Sequence, residues 1–365
     1  MTGSKGGFVS NERLRGAYRL LDKHRCSRML ITDVVDVNYV SGFSSSRALL
    51  LVSRETNYLY TDFRYREAAE RFCVKNPEWR FTLIKDNGFS FLAGQLPPRC
   101  AVAVQSDVMT IDEYNRLRRA FPTVRFVPLA GEISDLASAK NRREIGFMRT
   151  AAHIGDAAWK RFCARLKPGV TEREAAGILD GISAKLGSEK PSFDTIVLFG
   201  KRSSLPHGRP GPGRLKRGDF VLADFGCTVS GFCSDMTRTA VCGAASERQG
   251  EIYGIVKEAH DAALAAARGG LSGRALDAVA RSIIEKAGYG GSFGHGLGHG
   301  VGRRVHERPR LSPLSGDILR EGNVVTIEPG IYLPGFGGVR IEDMTVLRTH
   351  GSSPLTASPC ELIEL

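Results

Sequence analysis

Residues 218–226 read GDFVLADFG, and residues 322–330 read GNVVTIEPG, 104 residues further on. Both carry a glycine and a polar residue, a four-residue strand-like run, an acid and a closing glycine. A short, mainly apolar run bounded by glycines reads as a buried strand. Two more matches lie in the same order. Pro168-Gly169-Val170-Thr171 opens a helix, and Gly269-Gly270-Leu271-Ser272 opens another 101 residues later; His207-Gly-Arg-Pro returns as His306-Glu-Arg-Pro. Nearly constant offsets point to a duplicated α-plus-strand unit folded about a pseudo-two-fold. Two such halves face each other across a cleft, where equivalent polar residues meet.

The duplicated strands bear carboxylates. Asp224 ends the first run, and Asp235 follows in GFCSDMTRT; Glu328 ends the second, and Glu342 follows in VRIEDM. An ionised carboxylate beside a buried strand is costly unless it is paired or binds a metal. One alone reads as a strand-end salt bridge. Four at matched places in two repeats point to a metal site. Strand alternation sends Arg340 and Glu342 to one face and Ile341 and Asp343 to the other, so Glu342 is expected in the cleft. Several carboxylates with one imidazole suit a pair of divalent ions, manganese first, with cobalt, iron or zinc as alternatives. The imidazole comes from GSFGHGLGHGVGRRVHE, which offers His295, His299 and His306. Its glycines let backbone pass close to a crowded site. A phosphate loop would need GxxxxGK[ST], which is absent.

Outward from this core, the rest of the chain sets the context. Residues 1–135 read as one α/β unit, with strands at Met29–Ile31, Ala48–Val52 and Tyr58–Thr61 and helices at Asn11–Lys23, Arg64–Arg71 and Ile111–Ala120. Residues 136–365 open with a long helical pattern on which Ile145, Met148, Ala152 and Trp159 share a face. Pro168-Gly169 closes that helix, and Thr171 with Glu174 forms a capping box for the next. The 365 residues are 42% hydrophobic and 25% charged, which suits about two globular domains. The net charge of +12 is scattered, its densest cluster being Arg116, Arg118 and Arg119, and no nucleic-acid-reading motif accompanies it. No nucleic-acid partner is expected. No cysteine pair has CxxC spacing, the N-terminal MTGSKGGFVSNERLRG has no apolar core, and no apolar run is long enough to span a membrane. A cytoplasmic protein with reduced thiols and no membrane partner is expected.

GHGLGHGVGRRVHE, VVTIEPGIY, GGVRIEDM and LADFG with SDMTRT together resemble the pita-bread metallopeptidases. DVNYVSGF and LYTDFRYREAAERF resemble the creatinase-type N-terminal domain of the Xaa-Pro aminopeptidases and prolidases. The resemblance implies an α/β N-terminal domain over 1–135 and an α+β pita-bread catalytic domain with internal pseudo-two-fold duplication over 136–365. It implies two divalent metal ions. Asp224 would hold one, Asp235 and Glu342 would bridge both, and His299 and Glu328 would bind the second, with Arg340 orienting Glu342 and Asp235 from behind. Hydroxide between the ions would attack the Xaa-Pro carbonyl, and Glu328 would shuttle its proton. His207 and His306 would contact substrate and developing negative charge, and His295 would line the proline side. A homodimer is implied as well.

The chain departs from the family pattern at Arg303 and Arg304, where apolar and then acidic or polar residues are usual. Arg304 shares parity with His306, so it faces either the cleft or solvent. Arg310 resembles an arginine that some prolidases use near a product carboxylate. The expected activity is release of the N-terminal residue from peptides with proline second, so that Arg310→Ala harms Xaa-Pro and Xaa-Pro-Xaa cleavage alike. The alternatives are a prolidase restricted to Xaa-Pro dipeptides and a non-catalytic binding protein of the same fold.

Overall fold

A computed structural model describes residues 7–85 and 88–365. The first six residues, part of the N-terminal stretch read above, lie outside the described residues. The chain divides into two units, Met1–Ala137 and Ser138–Leu365.

Alternation of side chains builds the first unit. Its six strands run in the order Trp79–Leu83, Asn57–Thr61, Ala48–Ser53, Arg28–Ile31, Ala101–Gln105 and Arg125–Leu129. The pairs are mixed: Arg28–Ile31 is antiparallel to Ala48–Ser53 and parallel to Ala101–Gln105. Met29, Ile31, Leu50, Val52 and Ala103 enter one apolar cluster, while Leu30, Leu51, Val102 and Val104 enter another. Successive side chains leave a strand on opposite faces, so a sheet buried on both sides reads as an unbroken apolar run. Helices Gly7–His24, Arg66–Lys75 and Ile111–Ala120 occupy the regions expected to be helical.

The second unit shows its duplication in the backbone. Helices Arg142–Cys163 and Glu172–Lys185 in the first half correspond to Glu247–Ala266 and Gly273–Lys286 in the second. The first long helix stops at Cys163, before the Pro168-Gly169 pair expected to close it. Thr171 caps its helix with the expected box to Glu174, and Ser272 caps the equivalent helix. Both caps bridge a strand-like segment, Thr171 to Arg214 and Ser272 to Ile318. Gly169 donates to the Leu215 carbonyl at 2.8 Å, and Gly270 to that of Leu319 at 2.9 Å. Gly218 and Gly322 each take a φ of +83°, a left-handed turn before the strand that glycine makes without steric cost. The first half contributes Met236–Val241, Phe220–Phe225 and Ile196–Phe199 to one sheet, whose edge the C-terminal strand Ile363–Glu364 completes beside Met236–Val241. The second contributes Glu307–Leu311, Gly298–Gly300, Val324–Ile327, Asp343–Arg348, Gly351–Pro354.

Candidate metal centre

Each half offers its acids at the ends of an antiparallel strand pair. Phe220–Phe225 carries Asp224 opposite Thr237, and Asp235 stands just before Met236–Val241. In the second half Ile327 lies opposite Asp343, so Glu328 follows one strand and Glu342 precedes its partner. The halves are stitched together here: the Glu342 amide donates to the Thr237 carbonyl at 3.1 Å, and the Arg340 amide to Thr239 Oγ1 at 3.2 Å. His299 sits on Gly298–Gly300, its amide donating to Thr326 Oγ1 at 3.0 Å, and that hydroxyl donates to Glu328 Oε1 at 3.1 Å. A side chain at Gly298 would collide with the Thr326 carbonyl, which is why a glycine flanks the histidine.

Donor atoms of Asp235, His299 and Glu342 all lie within 4.8 Å of one another. His299 Nδ1 is 3.1 Å from the Gly300 carbonyl oxygen. A carbonyl only accepts, so Nδ1 carries the proton of this ring, whose pKa burial lowers. Nε2 therefore presents a lone pair, and it faces Glu328 Oε1 at 3.3 Å and Asp235 Oδ2 at 3.7 Å. Acceptors face acceptors, an arrangement that a cation between them relieves. Asp224 Oδ2 accepts from Arg340 Nη2 at 2.6 Å, while its buried Oδ1 has no hydrogen-bond partner. Burial, then repulsion from Glu342, Asp224 and Glu328, drives Asp235 well above the usual carboxylate range. Glu342 is driven up likewise by burial, Glu328 and Asp224, and burial lifts Glu328 to about 7. Four carboxylates thus share one guanidinium. The residues fit a centre of divalent cations, which would restore the ionised forms.

A chain of hydrogen bonds runs behind these groups. Arg340 Nη1 donates to the Tyr332 hydroxyl at 2.7 Å, and His295 Nε2 lies 2.9 Å from that hydroxyl. His295 Nδ1 is 2.8 Å from the Gly296 carbonyl, so Nε2 is the acceptor. Burial, then Arg340, lowers this imidazole to about 4, which keeps it neutral. Arg340 reaches Glu342 indirectly: its Nε donates to Thr237 Oγ1 at 2.9 Å, which donates to Glu342 Oε2 at 2.6 Å. The carboxylate it directly holds is Asp224, whereas the sequence suggested Glu342 and Asp235. Residues 341 and 342 lie between two strands rather than on one, so strand parity sets neither the face of Glu342 nor the partner of Arg340 across the half-to-half seam. Tyr332 and Thr237 were missed altogether. Tyr332 in PGIYLPG, close after Glu328, was the available signal.

His306 is exposed, with its ring 4.4 Å from that of His299. Burial of its inner side, then His299 and His207, lowers its pKa. His207 is exposed, and its imidazole contributes to lowering the pKa of Glu328 and of His306. Arg310 is exposed on Glu307–Leu311, opposite His299 in register. Residues 301–306 form a loop rather than a strand, so parity does not decide where Arg304 faces. Arg303 and Arg304 are half-buried, and the Arg303 guanidinium lies 4.4 Å from the Phe232 ring centre.

A second trio, His260, Asp343 and Cys360, also brings donor atoms within 4.8 Å. There, Arg238 Nη2 already sits 2.6 Å from Asp343 Oδ1. His260 Nε2 is 3.0 Å from Asp343 Oδ2, and Cys360 Sγ donates to that oxygen at 3.2 Å.

Comparison with known proteins gives the family and the fold. Residues 146–349 match the family model Metallopeptidase family M24, and residues 13–136 match the Creatinase/Prolidase N-terminal domain. An Xaa-Pro dipeptidase of Pyrococcus horikoshii is 37% identical over 357 residues, covering 97% of this chain and 99% of that one. The structure of an Xaa-Pro dipeptidase from Bacillus anthracis superposes with a TM-score of 0.92 at 35% identity, over 98% of this chain and 100% of that one. That of an X-Pro aminopeptidase from Thermotoga maritima gives 0.88 at 33% identity, over 96% and 99%.

Proposed function

Because this chain belongs to metallopeptidase family M24 and carries the creatinase/prolidase N-terminal domain, we propose that it hydrolyses the peptide bond on the N-terminal side of proline. Residues 1–135 form the creatinase-type domain in this reading and residues 136–365 the catalytic one. The carrying observation is the lone pair of His299 Nε2 facing Glu328 and Asp235 amid four carboxylates with one arginine.

Two divalent ions held by Asp224, Asp235, His299, Glu328 and Glu342 would supply Lewis-acid polarisation of the scissile carbonyl and water of lowered pKa. Glu328, ionised beside the ions, takes a proton from the attacking water and returns it to the proline nitrogen. His306, whose pKa burial and the neighbouring imidazoles lower, donates a neutral N–H to the oxygen where charge develops. His207 donates from the exposed side. His295, held neutral and fixed by Tyr332, lines the proline side of the pocket. Arg340 locks Asp224 and, through Thr237, Glu342.

The names of the Pyrococcus and Bacillus relatives favour a dipeptide substrate, which reverses the order of preference drawn from sequence. A second reading, release of the N-terminal residue from longer peptides, has the Thermotoga structure behind it. Arg310 is the cation available to read a carboxylate directly after proline. Charge-assisted pairing of that kind contributes roughly 1.5–3 kcal/mol, about tenfold to a hundredfold in discrimination. The test compares Xaa-Pro with Xaa-Pro-Xaa at matched metal loading. The dipeptide reading expects a preference for Xaa-Pro that Arg310→Ala reduces by that factor. Equal cleavage of both lengths, with Arg310→Ala harming them alike, would establish the aminopeptidase. Cleavage of neither would overturn the proposal.

Manganese is the ion this reading assigns to the carboxylate-rich centre on ligand type, with cobalt, iron or zinc as alternatives. A homodimer is part of the reading. Eight free cysteines suit a reducing compartment, the cytoplasm. No helix among the described residues is long and apolar enough to cross a membrane.

A further inference from the structure

Between His299 and His306 the chain leaves the sheet and returns. Gly300 pairs with Glu307 across a register shift, and residues 301–306 make the excursion. His306 is the last residue before the chain re-enters. A loop of this kind would let an imidazole wander, yet catalysis needs it held against substrate to within a fraction of an ångström.

The holding device is Glu307. Its carboxylate turns back under the loop, where Oε1 accepts the Arg304 backbone N–H at 3.0 Å. Its Oε2 accepts from Lys140 Nζ at 2.9 Å. The side chains of Lys140 and Glu307 are 1% and 6% exposed, whereas the preceding His306 is open to solvent. Lys140 is anchored in turn: its ammonium donates to the Ser138 carbonyl at 2.9 Å and its amide to the Gly322 carbonyl at 2.7 Å. Gly302 completes the fit, because a methyl there would collide with the Glu307 carboxylate. The loop also ties to the first half, the Cys233 amide donating to the Gly302 carbonyl at 2.8 Å.

We propose that Lys140 and Glu307 are positioning residues whose buried pair closes the 301–306 loop and fixes the His306 imidazole for the reaction. A buried lysine and glutamate give little net stability over well-packed apolar residues. A hydrogen-bonded carboxylate whose direction is set by a fixed cation does fix a loop. The inference rests on the catalytic assignment of His306.

The test is a double-mutant cycle on the metal-loaded enzyme, with kcat, KM, melting temperature and bound metal per chain all read. Lys140→Met with Glu307→Met removes the pair without leaving a buried lone charge. Its kcat should fall about tenfold or more, with KM, metal content and melting temperature little changed, as expected for a displaced catalytic group. Lys140→Met with Glu307→Gln keeps an acceptor for the Arg304 N–H and should recover most of that loss. In a His306→Ala background the methionine pair should cost almost nothing further. Gly302→Ala displaces the carboxylate while leaving Lys140 untouched, and should give the same kcat loss and the same non-additivity even if the methionine pair does not fold. Full additivity with a damaging His306→Ala would overturn the positioning role and leave His306 catalytic. A harmless His306→Ala would overturn the assignment of His306 and this proposal with it.

Discussion

Glu342 and Asp343 are neighbours at the start of one strand, and both are buried, yet their surroundings are opposite. Asp343 faces Arg238, whose side chain is 1% exposed, with His260 3.0 Å from its other oxygen. Burial works to raise its pKa, but Arg238 and His260 outweigh that and hold it below the usual carboxylate range. Glu342 faces Asp235, Asp224 and Glu328 and is driven well above that range, burial leading. Both sides bring three ligand-type atoms within 4.8 Å. Distance alone therefore does not identify a metal site; the sum of nearby charge does. Behind the strand the protein supplies its own cation. In the cleft it leaves that place to something else.

The contrast is sharpest in activity. Glu328→Gln removes a cleft carboxylate and the proposed base, so kcat should fall ~10²–10⁴-fold. The chelated protein should nonetheless keep or raise its denaturation midpoint, because a repelling group is gone. A lowered midpoint in the metal-free variant would show that the cleft is not under electrostatic strain.

Asp343→Asn should do the reverse. It strands the buried Arg238 guanidinium, at a cost of about 3–5 kcal/mol by the usual loss of one partner from a buried pair. Denaturant unfolding reads this. The protein that stays folded should bind metal in unchanged stoichiometry. Loss of one ion per chain would instead make Asp343 a ligand.

Acid and base titration should separate the two sides in the chelated protein. Glu328 is raised in the folded state, so its stabilising contribution is complete below its unfolded pKa of about 4.3 and is lost as pH rises through about 7. Asp343 is depressed, so its contribution is present above about 3.9 and disappears as pH falls below that. Manganese should abolish the first slope and leave the second. Persistence of the first slope in the loaded protein would place the titrating group outside the centre.

The duplication was legible because a strand bounded by glycines and ending in an acid is a local pattern, and it occurs twice. Glu342 was separated from Asp343 by assuming one continuous strand, yet residues 341 and 342 lie between Gly337–Arg340 and Asp343–Arg348, so the cleft position of Glu342 does not follow from alternation. The choice among His295, His299 and His306 was not local; residue types left all three open, and only the resemblance favoured His299. Arg238 with Asp343, Arg340 with Asp224 and Lys140 with Glu307 were invisible, since each joins residues 100 or more positions apart. Alternation also failed at Arg304, because residues 301–306 are not a strand.

The stitching of the two halves has a mechanical consequence. Asp224 and Asp235 come from one half, and His299, Glu328 and Glu342 from the other, so an ion shared by these groups is a cross-link. It would close loops of roughly a hundred residues, and the freedom such a tether removes from the unfolded chain grows slowly with loop length. Such an ion would act as a removable rivet through the seam. With it in place, prying the halves apart means breaking coordination first; with it chelated, the seam must hold on backbone hydrogen bonds and apolar packing while the carboxylates push against each other.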